Sequence, residues 1–207
     1  MAEEETMPRE DKIVASLSCD AGKERSRRSK KLLPESAEPA EIDKRYWRDE
    51  GLDGLVPIYT DIGQKDPFHA TSGEVETAFA PQLRDLVRLH RLIRQRMATT
   101  VLEFGVGFST LVMADALAKN EAEFQKLPQP PRLRVKKPFH LFAVDASRHW
   151  IEETQKRIPA HLRPRVQIDF SRVKAGMHLG QLCHFYERLP NVVPDFVYLD
   201  GPSPKDV

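Results

Sequence analysis

The stretch V-L-E-F-G-V-G-F-S-T, Val101 to Thr110, decides how the rest of the chain is read. Val101, Leu102 and Phe104 are strand-forming residues around a single acid, Glu103. Gly105 and Gly107 follow in the order G-x-G, and then Ser109 and Thr110 lead into an Ala/Leu-rich run. Glycines placed this way let a strand turn tightly into a helix with a ligand against the backbone.

Working outward, the chain alternates. T-T-V-L-E-F (99–104) predicts a strand and S-T-L-V-M-A-D-A-L-A-K (109–119) a buried helix, with Asp115 and Lys119 at a favourable i,i+4 spacing. P-F-H-L-F-A-V-D-A (138–146) predicts a second strand. S-R-H-W-I-E-E-T-Q-K-R-I (147–158) predicts a second helix, with Ser147 as N-cap and Pro159 as its stop. R-V-Q-I-D-F (165–170) is a third strand, L-G-Q-L-C-H-F-Y-E-R-L (179–189) a helix, and P-D-F-V-Y-L-D-G-P (194–202) a fourth strand. Apolar strands alternating with helices imply a doubly wound α/β domain, a mainly parallel sheet covered by helices on both faces. Residues 119–138 are long for a connection and read as a surface insertion.

Upstream, residues 1–45 read as a disordered charged tail with a basic cluster (Lys23, Arg25, Arg27, Arg28, Lys30, Lys31). Residues 46–97 form a covering segment and a helix starting at Pro81. On that helix His90 sits on the apolar stripe as a packed residue, and Arg84, Arg88, Arg91, Arg94 and Arg96 form a solvated face. Residues 98–207 form the ligand-binding domain.

Composition excludes more than it assigns. The chain of 207 residues holds 32 basic and 31 acidic side chains, a net charge of +1, which gives no global argument for nucleic acid or membrane partners. Cys19 and Cys183 are far apart and read as free thiols. No apolar run approaches a membrane span, and the polar start M-A-E-E-E-T is unlike a secretory signal, so a cytoplasmic location is expected. His178, Cys183 and His184 match no zinc spacing, and no metal is expected there.

Three ligands compete for the glycine turn. A P-loop needs G-x-x-x-x-G-K-[ST]; the glycines here are one residue apart and no lysine precedes Ser109 or Thr110. A dinucleotide fingerprint needs a third glycine where Thr110 stands. Its ribose acid should come roughly 20 residues on, whereas Asp145 lies 38 residues (145 − 107) after Gly107. The third is S-adenosylmethionine.

V-L-E-F-G-V-G resembles the first motif of class I S-adenosylmethionine-dependent methyltransferases, an acid at a strand end followed by x-G-x-G. F-A-V-D-A-S resembles their second-strand motif, and P-D-F-V-Y-L-D-G-P their fourth-strand motif. The three stand in the family's order across residues 98–202. The resemblance implies a Rossmann-like fold and assigns Glu103, Gly105 and Gly107 to the methionine part of the cofactor. Phe108, Ser109 and Thr110 would turn over it, Asp145 would accept from both ribose hydroxyls, and Ala146 would lie near the adenine. Asp200 would face methyl transfer, touching substrate, a metal or the cofactor amine. Ser109 departs from a third glycine common in the family; a small polar residue is tolerable there and can cap the helix.

The family fold continues with a fifth strand and an antiparallel pair that follow no segment of this sequence. A domain truncated after its fourth strand is therefore expected: a fragment, one whose exposed edge is covered by a partner or a second copy, or a reduced variant of the fold. The acceptor is expected to be a small-molecule or saccharide hydroxyl. An NAD(P)-binding oxidoreductase domain and a non-catalytic binding module are the alternatives.

Overall fold

The computed structural model describes residues 39–56 and 81–202. In chain order they form helices α1 (Pro39–Asp49) and α2 (Leu83–Arg96), strand β1 (Thr100–Phe104), helix α3 (Phe108–Gln125), strand β2 (His140–Asp145) and helix α4 (Arg148–Arg157). A 3-10 turn (Arg163–Arg165) leads into strands β3 (Val166–Phe170), β4 (Val173–His178), β5 (Gln181–Tyr186) and β6 (Phe196–Leu199). The first 38 residues of the segment read as a tail, and residues 57–80 of the covering segment, lie outside the described residues.

β1, β2, β3 and β6 pair in parallel in the order β3-β2-β1-β6. This is a Rossmann-like α/β arrangement. The chain moves one way from β1 through β2 to β3, then returns to the other side of β1 for β6, so strand order reverses at β1. Asp195 sets the register of that return. Its carboxylate accepts from Thr99 N and Oγ1, both at 2.8 Å, and from Thr100 N at 2.9 Å, while Asp195 N donates to Thr100 O at 3.0 Å.

The pleat places Val101, Leu141, Ala143, Val166, Ile168, Phe196 and Tyr198 on one face. Helix α3 packs there through Met113, Ala116 and Leu117, and its opposite side meets Leu86 and Val87 of α2. A helix clasped between a sheet and another helix must be apolar all round, which accounts for its sequence. It runs six residues past the expected end because its last turns are tied down. Asn120 donates to Ile93 O and Ala98 O, Arg94 bonds Asn120 and Glu123, and Phe124 packs on Phe139.

Two expectations need correction. Helix α1 begins at Pro39, inside the stretch read as tail, because the covering layer starts there: Trp47 is fully buried with Leu52, Val56 and Val87. Residues 179–189 are not a helix. β4 and β5 form an antiparallel hairpin from Val173↔Tyr186 to His178↔Gln181. Leu179, Leu182, Cys183 and Tyr186 do fall at helical spacing. However, Leu179 (φ 48°) and Gly180 (φ 79°) both adopt the left-handed region of a two-residue hairpin turn, which a helix cannot accommodate. The hairpin therefore stands where a helix was expected over the second face. On that face Leu102, Phe142 and Val144 are buried, whereas Val197 and Leu199 of the edge strand β6 are exposed.

His90 is buried and bonded at both ring nitrogens, as a packed histidine should be. Nε2 faces Asp115 Oδ2 at 3.0 Å and Nδ1 faces the Tyr46 hydroxyl at 2.6 Å. Burial lowers its pKa against the opposing pull of Asp115, so the ring is neutral. Burial alone would raise Asp115, but its bonds to His90 and Lys119 (2.6 Å) hold it below the usual carboxylate range. An ionised Asp115 only accepts, so Nε2 carries the proton and Nδ1 accepts from Tyr46. The network joins α1, α2 and α3. His90→Phe strands both partners and is expected to destabilise the fold by about 2–4 kcal/mol, read from the urea midpoint at constant slope.

Candidate active site

The site lies where strand order reverses. β1 ends at Phe104, and Gly105 N donates to Val144 O of β2 at 2.9 Å. On the other side Asp200 N donates to Phe104 O at 2.8 Å. Extending the register by one residue sets Gly105 between Asp145 and Asp200.

The two glycines do different work. Gly105 has φ +98°, and a Cβ there would stand 3.1 Å from Asp200 C and O and 3.2 Å from Gly201 N. Its missing side chain makes room for the chain's own backbone. At Gly107 a Cβ would meet nothing within 4 Å. Only Gly107 therefore leaves open space for a ligand, a division the sequence does not reveal.

Gly107 occupies the N-cap of α3, and its N–H donates to Thr110 Oγ1 at 3.0 Å. Ser109 does not cap the helix as expected. It lies inside the first turn, and its hydroxyl donates to Glu103 Oε1 at 2.6 Å. Thr110 Oγ1 donates to Glu103 Oε2 at 2.7 Å. Glu103 is fully buried beneath that turn, on the helix-covered face of the sheet. Burial raises its pKa to about 8; the two hydroxyl bonds work in the other direction, and Asp200 and Asp145 reinforce the rise.

Asp145 ends β2 and is buried. Its Oδ1 accepts from Ser147 N at 2.6 Å, which orients the carboxylate at the crevice. Ser147 caps α4 as expected, accepting from Trp150 N at 3.3 Å. Ala146 between them is half-buried. Phe108 is half-buried with the Arg157 guanidinium 4.9 Å from its ring centroid. Asp200 is exposed to solvent at the end of β6, and partial desolvation of its carboxyl raises its pKa.

Three neighbours were not anticipated. Phe170, the register partner of Asp145, lies under the Arg148 guanidinium at 4.0 Å. Ser171 N donates to Asp145 O at 3.0 Å. Tyr186 packs on Phe104. Phe170 and Ser171 are legible as the end of a strand beside β2. Tyr186 is not, because it reaches the site only through the hairpin.

All nine predicted residues (Glu103, Gly105, Gly107, Phe108, Ser109, Thr110, Asp145, Ala146 and Asp200) thus fall at the carboxyl end of three adjacent strands or in the first turn of α3. Among the described residues no group of three or more His, Cys, Asp or Glu is disposed to hold a metal ion. Two open grooves lie elsewhere, one of about 640 Å³ between α4 and β3 and one of about 730 Å³ along α1 and α2, and neither is lined by Gly105–Thr110. No described helix is long and apolar enough to cross a membrane. Comparison with protein-family models, curated proteins and solved structures gives no match.

The raised pKa of Glu103 has a definite sign. Between pH 4.5 and about 8 the native state holds a proton that the unfolded chain has released, so this group's contribution to stability falls as pH rises. Glu103→Gln cannot titrate and mimics the protonated acid. Thermal melts at pH 5, 7 and 9 should show the variant gaining on the wild type as pH rises, by roughly 3–5 kcal/mol at pH 9. A pH-independent difference would place the carboxyl in a hydrated setting.

Proposed function

We propose that this chain is a class I methyltransferase of doubly wound, Rossmann-like type. It binds S-adenosylmethionine at the β1 switch point and passes the methyl group to a small-molecule or saccharide hydroxyl in the cytoplasm. The observation that carries this reading is the convergence of the Gly105–Gly107 turn with Asp145 and Asp200 from the two strands flanking β1. Open space beside Gly107 suits close approach of a ligand to the backbone. Carboxyl groups from the two strands flanking β1 favour a ligand carrying positive charge over one carrying a pyrophosphate.

Bound S-adenosylmethionine would supply an activated methyl group on a sulfonium, itself an excellent leaving group. The chain then needs no nucleophilic Ser or Cys. Gly107 would admit the methionine portion, and Asp145, oriented by Ser147, would accept from the ribose hydroxyls. Ala146 would flank the adenine. Glu103 would act by holding the first turn of α3 through Ser109 and Thr110, with Phe108 at its edge. Asp200, its carboxyl held above the usual range by burial, would orient the acceptor hydroxyl and take its proton.

Calorimetric titration with S-adenosylhomocysteine and with NAD separates this reading from an NAD(P)-binding domain, and binding of neither compound would favour a non-catalytic module. Gly105→Val is expected to abolish S-adenosylhomocysteine binding while the helical circular dichroism persists. Asp145→Ala should raise the dissociation constant by about 10- to 150-fold, the loss of roughly 1.5–3 kcal/mol of charge-assisted bonding. An unchanged constant in either variant would remove that residue from the site.

A further inference from the structure

Hairpin β4–β5 has no task in the chemistry above, yet it is fastened at two sides of the candidate site. Beside β2, Ser171 N donates to Asp145 O, and Ser171 Oγ accepts from Arg188 N at 2.9 Å. Glu187 N closes the hairpin base on Arg172 O at 2.9 Å. On the β1 side Tyr186 leaves the hairpin, and its ring lies 5.5 Å from that of Phe104, tilted by 44°. Its hydroxyl ends where a side chain on Gly201 would begin. A Cβ built on Gly201 would be 3.2 Å from Tyr186 Oη and 3.2 Å from Gly105 Cα.

We propose that Tyr186 is a positioning residue, its hydroxyl wedged beside Gly105 in the space that a Gly201 side chain would take, and that it so fixes where the preceding residue, Asp200, presents its carboxyl group. Among the described residues β6 is a four-residue edge strand paired only with β1. Gly201 has no side chain to steer the exit peptide. The single bond Asp200 N to Phe104 O holds this end of the strand, and the Tyr186 ring fills the space beside it. Without the ring a void opens next to a glycine, and the exit peptide relaxes into it. Tyr186→Phe keeps the contact with Phe104 but removes Oη, the atom that stands at Gly201.

The functional half of this inference rests on the reading of Asp200 as a site carboxylate; the structural half does not. The test uses the full chain as wild type, Tyr186→Phe, Tyr186→Ala and Tyr186→Leu. Amide hydrogen exchange is followed at Asp200 and, as an internal reference, at Ala143, alongside titration with S-adenosylhomocysteine. Tyr186→Ala is expected to speed exchange at Asp200 at least about tenfold relative to Ala143 and to weaken S-adenosylhomocysteine about tenfold, with Tyr186→Phe falling between wild type and Tyr186→Ala in both. Should Tyr186→Ala fail to fold, Tyr186→Leu, which fills the base of the ring's place without reaching Gly201, carries the same expectation. Unchanged exchange at Asp200 overturns the proposal, as does faster exchange with unchanged affinity. If the wild type does not bind S-adenosylhomocysteine, the cofactor reading fails, and selective exchange at Asp200 still supports the wedge.

Discussion

The backbone crossing between the exits of β1 and β6 is the constraint from which the site follows. Gly105 and Gly201 approach so closely that neither tolerates a Cβ without displacing main-chain atoms of the other segment. That contact lets two parallel strands stay paired up to their last residues and then diverge. One exit, at φ +98°, swings toward the first turn of α3. The other delivers Asp200 beside it. With Asp145 on the opposite flank, one glycine sets the separation of the groups that define the crevice.

Glu103 couples this turn to the helix. Burying a carboxyl is costly unless its oxygens are bonded. Here Ser109 and Thr110 supply a hydroxyl to each oxygen, and both come from the same helical turn. The strand thereby grips the helix start from below. Thr110 also accepts from Gly107 N, so one hydroxyl links the acid, the glycine turn and the helix. The carboxyls at 145 and 200 raise further the pKa that burial has already lifted.

The alternation of strands and helices is legible from Thr99 to Phe170 because periodicity and caps agree there. Ser147 caps α4 and Pro159 lies just beyond its end. Legibility fails where a local signal competes with a nonlocal one. The helical spacing of Leu179, Leu182, Cys183 and Tyr186 conceals a hairpin that Gly180 alone betrays. Helix α1 is hidden in charged sequence because its inward stripe, Ile42, Asp43, Tyr46 and Trp47, is short and includes an acid. Within the site the acid positions are readable as strand ends. The distinct roles of Gly105 and Gly107 are not, since they depend on which backbone segment passes nearby.

The hairpin also accounts for how unevenly the sheet is covered. A connection from β3 to β6 must cross two strands, about 14 Å at the usual spacing. A helix would satisfy its own backbone along that path and spread apolar cover over the second face. The hairpin satisfies its backbone pairwise, between β4 and β5, and leaves most of its own side chains exposed. Phe104 is reached through Tyr186, while Val197 and Leu199 stay 50% and 71% exposed. β6 is consequently held less by burial than by its two ends, with Asp195 bonded to Thr99 and Thr100 at its entry and Asp200 N bonded to Phe104 O at its exit. An edge strand anchored in this way keeps its register even though half of its side chains contribute little burial, and register is what places Asp200 opposite Gly105.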